Sequence, residues 1–172
     1  MRVLGLDPGL RATGWGVIEV GPSGLRHLGC GVVASPPDAP LAHRLEALFD
    51  GLLAVIDRYA PDAAAVEETV VNTNAASSLK LGQARGVVLL AAARAGLEVG
   101  EYASRTVKRA VAGTGSASKE QVAAMVRALL AGAVEATADA TDALAVAICH
   151  AHVAATRTRL ARAVPRAGAG TR

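Results

Sequence analysis

The chain opens on an apolar run, RVLGLD, breaks over Pro8 and Gly9, and resumes through Trp15, Val17 and Ile18; LRHLGCGVVA then fills 25–34. Runs of this length, separated by DPG and by GPSG at 21–24, predict strands over 2–7, 14–20 and 25–34 in an antiparallel meander. After SPPDAP the period changes. Leu41, Leu45, Leu48, Leu52, Val55 and Ile56 recur at helical spacing as far as Tyr59. Pro61 and Asp62 break that helix, and AAAVEE (63–68) predicts a short buried strand ending in two carboxylates. A helix from Asn74 to Ala95, a strand over EVGEYA (98–103), short helices near 104–111 and 118–131, and an Ala-rich helix over 138–160 complete the pattern. No internal repeat is found.

Meander, helix, strand, helix, strand and terminal helices imply an α/β sandwich on a mixed five-stranded sheet. The β-α-β crossovers make strands four and five parallel to strand one. Strand four beside strand one brings their C-terminal ends, Asp7 and Glu67, to one edge, where open α/β sheets place their sites.

Composition narrows the class. A chain of 172 residues fits one domain, and 52% hydrophobic against 19% charged residues makes it globular. With one Trp and one Phe, the core must come from small aliphatic side chains. No stretch of 18 apolar residues lacks a charge, so no membrane span is expected, and the N-terminus lacks a signal-peptide layout. Cys30 and Cys149 lack metal-ligand spacing and suit a reducing compartment, so a cytoplasmic location is expected. The net charge of +3 is uneven: Arg157, Arg159, Arg162, Arg166 and Arg172 follow Ala154 with no acid among them. We therefore expect a folded domain over 1–160 and a disordered, basic, Gly/Ala-rich tail over 161–172. Such a tail touches nucleic acid or merely keeps the protein soluble.

The candidate chemistry lies in the acids. Asp7 before Pro-Gly is ordinary turn chemistry as well as a candidate ligand. Glu67 ends an apolar strand, where a charge costs solvation unless paired or metal-bound. Asp139 and Asp142, three apart, share one helix face, although acids in a first turn also compensate the helix dipole. Four converging carboxylates would repel unless cations sat between them, and hard oxygen ligands suit Mg²⁺ or Mn²⁺. Four acids suffice for two ions about 3.5–4 Å apart, the arrangement used in phosphodiester cleavage. His150 and His152, well along the last helix, read as packing or surface residues.

The blocks GLDPGLRATGWGVIE, AAVEE, SLKLGQARGV, GTGSASKEQVAAMV and ADATDALAVAICHAH occur in the order and spacing of the RuvC Holliday-junction resolvases. The resemblance covers residue 2 to about 153 and implies an RNase H-like three-layer sandwich. It implies a catalytic and metal-binding tetrad of Asp7, Glu67, Asp139 and Asp142, with Mg²⁺ or Mn²⁺ at two ions per site. Some relatives carry His where this chain has Asp139. The implied activity is resolution of four-way DNA junctions by a homodimer, through paired symmetric nicks leaving 5′-phosphate and 3′-hydroxyl ends, in recombination and repair. Partnership with the RuvA–RuvB branch-migration complex is also implied.

The same resemblance assigns DNA contacts. Lys108 and Lys119 fall near the scissile phosphate, with Lys119 also assisting catalysis; Arg105, Arg109, Ser116 and Ser118 join that patch, and Lys80 and Arg85 form another. A lone lysine is otherwise a solvated charge. GTGSASKEQ is not a P-loop, because G-x-x-x-x-G-K-[ST] is absent; Ser118 instead reads as an N-cap with Gln121 completing a capping box. Relatives commonly carry an aromatic wedge after the catalytic glutamate, where this chain has Val70 and Val71. Base stacking contributes about 1–3 kcal/mol per base, so the junction centre would be held differently here. Gly82 and Gly86 permit close helix approach, at a dimer interface in the family or within the fold. Two other readings stand beside this one. An actin-like ATPase shares the D-x-G hairpin but needs a second domain, and a non-catalytic nucleic-acid module leaves the acids unexplained.

Overall fold

The computed structural model describes residues 1–68, 74–130 and 136–163. Strands β1 (Arg2–Asp7), β2 (Ala12–Gly21) and β3 (Gly24–Ala34) form the antiparallel meander. Helix α1 (Leu41–Tyr59), β4 (Ala63–Glu67), α2 (Ala75–Arg94) and β5 (Glu98–Tyr102) follow, then α3 (Ser104–Ala112), α4 (Lys119–Leu129) and α5 (Ala138–Ala163). The sheet order is β3-β2-β1-β4-β5, with β4 parallel to both β1 and β5. The expected architecture is borne out. The domain boundary expected at 160 falls inside α5, which continues to Ala163; residues 164–172 of the expected tail lie outside the described residues. So do Val70 and Val71.

The two-residue alternation of the strands divides the core. Leu4, Leu6, Val17 and Val66 pack with Leu52, Val55, Ile56, Val88 and Ala91 of α1 and α2. Val3, Ile18 and Ala65 face the other way, onto Val107, Val122, Val126, Leu144 and Ile148 of α3, α4 and α5. Asp7 and Glu67 are in step with Val3 and Ala65. The pleat that buries the core therefore also directs both strand-end acids to the α5 side.

Helix α5 is fully buried from Ala143 to Cys149 and lies close on the sheet. A Cβ at Gly5 would stand 2.0 Å from the carbonyl oxygen of Ala143, and one at Gly14 would stand 2.1 Å from that of Asp139. Only bare backbone admits such contact. Since Gly14 is the cross-strand partner of Asp7, the first turn of α5 lands next to that carboxylate.

The N-terminus of α4 is built as its sequence predicts. Gln121 N–H donates to Ser118 Oγ at 3.3 Å and Ser118 N–H donates to Gln121 Oε1 at 2.9 Å, a complete capping box. Cys149 is buried and Cys30 half-buried; both are free thiols, and burial pushes that of Cys149 up to about 11. Among the described residues, no helix is long and apolar enough to cross a membrane.

Candidate functional site

An open cleft of about 280 Å³ lies at the C-terminal edge of β1 and β4. Asp7, Glu67, Glu68 and Asp142 bring carboxylates to its wall, and Lys108 and Lys119 bring ammonium groups. Leu81, Val107 and Val122 supply apolar surface. Asp7 arrives from the end of β1, Glu67 from the end of β4, Asp142 from α5, and Lys119 from the first residue of α4. Asp139 stands apart: it is exposed, one turn before Asp142 and outside the cleft lining, yet near enough for its charge to act on Asp7.

The electrostatics record this convergence. The Asp7 carboxyl is pushed up to about 7, first by burial and then by the charges of Glu67, Asp142 and Asp139, with Lys119 opposing. Burial also raises Glu67, against a hydrogen bond from Ser104. Lys119 Nζ donates to Asp142 Oδ2 at 3.1 Å, and this bond with the Asp142 charge holds the ammonium above its ordinary value. Among the described residues, no group of three or more His, Cys, Asp or Glu side chains is arranged to hold a metal ion as it stands. The Lys119 ammonium rests on Asp142 instead. The donor set nevertheless fits a hard divalent cation: carboxylate oxygens from separate elements face one cleft, and their mutual repulsion is what a cation would relieve.

These shifts set a pH dependence. A carboxyl raised in the folded state binds more protons there than in the unfolded chain. Asp7 therefore costs stability as pH climbs from its ordinary 3.8 to about 7. In metal-free buffer at about pH 8, Asp7→Asn is expected to melt above the wild type. The gap narrows as pH falls through that window and closes near its lower end; melting curves across the range check this.

The basic residues divide. Lys108 lines the main cleft, and an adjoining hollow is lined by Ser104, Arg105, Lys108, Gly115 and Ser116. Arg109 is exposed near the end of α3, and Ser116 is exposed with its hydroxyl 3.0 Å from Thr114 Oγ1. Lys80 is exposed on α2. Arg85 pairs with Glu101 and so ties α2 to β5, with its Nε buried and unpartnered. The Ser118 hydroxyl is engaged in the α4 cap. His150 accepts or donates at Tyr102 Oη, 3.0 Å away, and His152 Nδ1 meets the Ala110 carbonyl at 3.0 Å, so of the two readings, packing or surface, both take contacts within the fold.

Sequence reasoning missed Ser104. It opens α3 directly after β5, bonds Glu67 and lines both hollows. The one available signal was its place between a strand end and a helix start. Glu68, given no role by the motifs, also lines the cleft.

The family model for crossover junction endodeoxyribonuclease RuvC matches residues 3–150. The chain belongs to the RuvC family. A RuvC of Paramagnetospirillum magneticum is 62% identical over 166 residues, covering 96% of this chain and all of that protein. A RuvC of Rhodospirillum rubrum is 59% identical, covering 99% of each. Among solved structures, T. thermophilus RuvC in complex with Holliday junction substrate superposes with TM-score 0.85 at 39% identity, over 92% of this chain and 97% of that one. The yeast mitochondrial Holliday junction resolvase, 11% identical with TM-score 0.67, shares the fold. RuvC membership makes this chain a crossover junction endodeoxyribonuclease, in a family of metal-dependent nucleases. The ATPase and non-catalytic readings fall with it.

Proposed function

We propose that this chain resolves four-way DNA junctions by nicking two symmetry-related strands, with Asp7, Glu67 and Asp142 holding Mg²⁺ or Mn²⁺ in the cleft and Asp139 completing the set from its rim. The observation that carries this reading is the convergence of the Asp7, Glu67 and Asp142 carboxylates, from β1, β4 and α5, on one cleft that Lys108 and Lys119 also line. Two such ions would stabilise the attacking and leaving oxygens of the displacement, leaving 5′-phosphate and 3′-hydroxyl ends.

The chain's own residues do the rest. Asp7 and Glu67 are held by paired parallel strands, so their separation is set by the sheet register rather than by loops. Lys119 and Lys108 bring positive charge to the same wall and receive the phosphate. Arg105, Arg109, Ser116 and Lys80 extend that surface along the backbone, giving salt-dependent affinity with little sequence information. Pairing of nicks needs two sites related by a two-fold axis, as a C2 dimer supplies. Leu79, Gly82, Gly86 and Leu90 lie on one face of α2. Leu79 and Leu90 are 66% and 56% exposed, and neither glycine has a neighbour that a Cβ would meet, which suits a second copy of the chain. Action with RuvA–RuvB belongs to the same proposal, carried by the family alone.

The test compares a synthetic four-way junction with a linear duplex of the same sequence, in Mg²⁺ and in Mn²⁺. Symmetric nicks in the junction, ligatable and absent from the duplex, are expected. Equal cutting of both would make the chain a general nuclease and overturn the proposal.

A further inference from the structure

The turn that follows Asp7 is tied down from behind by a hydrogen-bonded set lying outside the cleft. The Leu10 carbonyl accepts from Ser35 Oγ at 2.5 Å and from Arg44 Nη2 at 3.3 Å. Arg44 Nε also donates to Ser35 Oγ at 3.0 Å, and Ser35 N–H donates to the Arg11 carbonyl at 3.0 Å. Across the turn, Thr13 Oγ1 donates to the Gly9 carbonyl at 3.0 Å and accepts from Gly9 N–H at 3.4 Å. Thr13 and Ser35 are the buried polar side chains of the described residues, and both are spent on this one turn.

Arg44, in the first turns of α1, is the charged member. It is half-buried, and among the described residues it makes no ion pair. Drawing a guanidinium partly out of water without a carboxylate costs solvation. What it secures is a rigid planar fork that holds two acceptors at once. The turn needs such bracing. Gly9 offers no side chain, and a Cβ there would stand 2.3 Å from the Ala12 carbonyl oxygen. Pro8, with φ locked by its ring, passes the position of the turn back to Asp7.

We infer that Arg44 is a positioning residue for the acidic site: through Ser35 and the Leu10 carbonyl it fixes the turn after β1 and so aims the Asp7 carboxylate into the cleft. This rests on the reading of Asp7 as a metal ligand. Arg44 does not line the cleft, and its bonds go to the Leu10 carbonyl and the Ser35 hydroxyl, so it acts through the backbone of the turn.

Mn²⁺ titration of Arg44→Gln, Arg44→Lys and Ser35→Ala tests this, read as the metal-induced rise in melting temperature of the protein alone and as junction nicking. Arg44→Gln is expected to raise the half-saturating Mn²⁺ concentration by about 10-fold or more, as loss of groups that orient a metal ligand does. Metal-free junction affinity stays at the wild-type level. Arg44→Lys, with charge but no fork, recovers part of the loss. Unchanged Mn²⁺ half-saturation, or a loss matched by falling metal-free junction affinity, overturns the inference and leaves Arg44 a support of the fold. Should the Arg44 variants not fold, Ser35→Ala is read by the same criteria. Asp7→Asn distinguishes the two failures: if it nicks at the wild-type rate, the metal-site reading falls whatever Arg44 does.

Discussion

Asp7→Asn is expected to lose nicking by about 10³-fold or more, roughly 4 kcal/mol of transition-state stabilisation, while junction binding survives or tightens. The amide keeps the size of the carboxylate and the turn that follows it. It removes the charge on which the other acids converge, and with it a hard oxygen ligand for the cation. Near a DNA phosphate the same change removes repulsion, so metal-free affinity for a four-way junction should hold or rise. Single-turnover nicking and a gel-shift titration of one preparation separate the two effects. Parallel loss of cleavage and binding would mean that Asp7 shapes the fold and does not serve the chemistry.

The second large effect comes from a residue with no functional group. Gly14→Ala places a methyl 2.1 Å from the Asp139 carbonyl oxygen and 2.5 Å from its carbon, both backbone atoms that no rotamer change can move. Helix α5 must lift away from β2 at the turn that carries Asp139 and precedes Asp142. Overpacking of this type costs about 1–3 kcal/mol of stability. Displacement of ligands by about 1 Å costs on the order of 10²-fold in rate. Nicking should therefore fall much further than the folded fraction does. Gly21→Ala is the control: its Cβ would come no nearer than 4.0 Å to the Gly24 carbonyl, and a stability change within about 0.5 kcal/mol is expected. A Gly14→Ala protein that is folded and fully active would show that the close seat of α5 does not set the site.

Much of this was legible in the residues. The switch from strand runs to the spacing of Leu41, Leu45, Leu48 and Leu52 gave element types and order, the β-α-β crossovers made β4 parallel to β1, and β4 was expected beside it. From there Asp7 and Glu67 had to share an edge, and the pleat that buries Val3 and Ala65 turned both toward one face. The capping box at Ser118 and Gln121 was a local signal and formed as a local structure. What stayed hidden depends on long-range packing. The i, i+3 spacing of Asp139 and Asp142 places them on one helix face but not at one depth; the helix start leaves Asp139 at the rim. Arg85 looks like a free cation until α2 lies over β5 and brings Glu101 to it. Arg44 and Ser104 carry no motif at all; their partners, Leu10 and Glu67, are 34 and 37 positions away.

Diffraction from crystals soaked in Mn²⁺, recorded at the manganese absorption edge, tests the central claim most directly. Anomalous density in the cleft, at about 2.0–2.2 Å from oxygens of Asp7, Glu67 and Asp142 with Lys119 displaced from Asp142, is the predicted result. Crystals saturated with Mn²⁺ that show no peak among these carboxylates, in a protein that still nicks junctions, would contradict it.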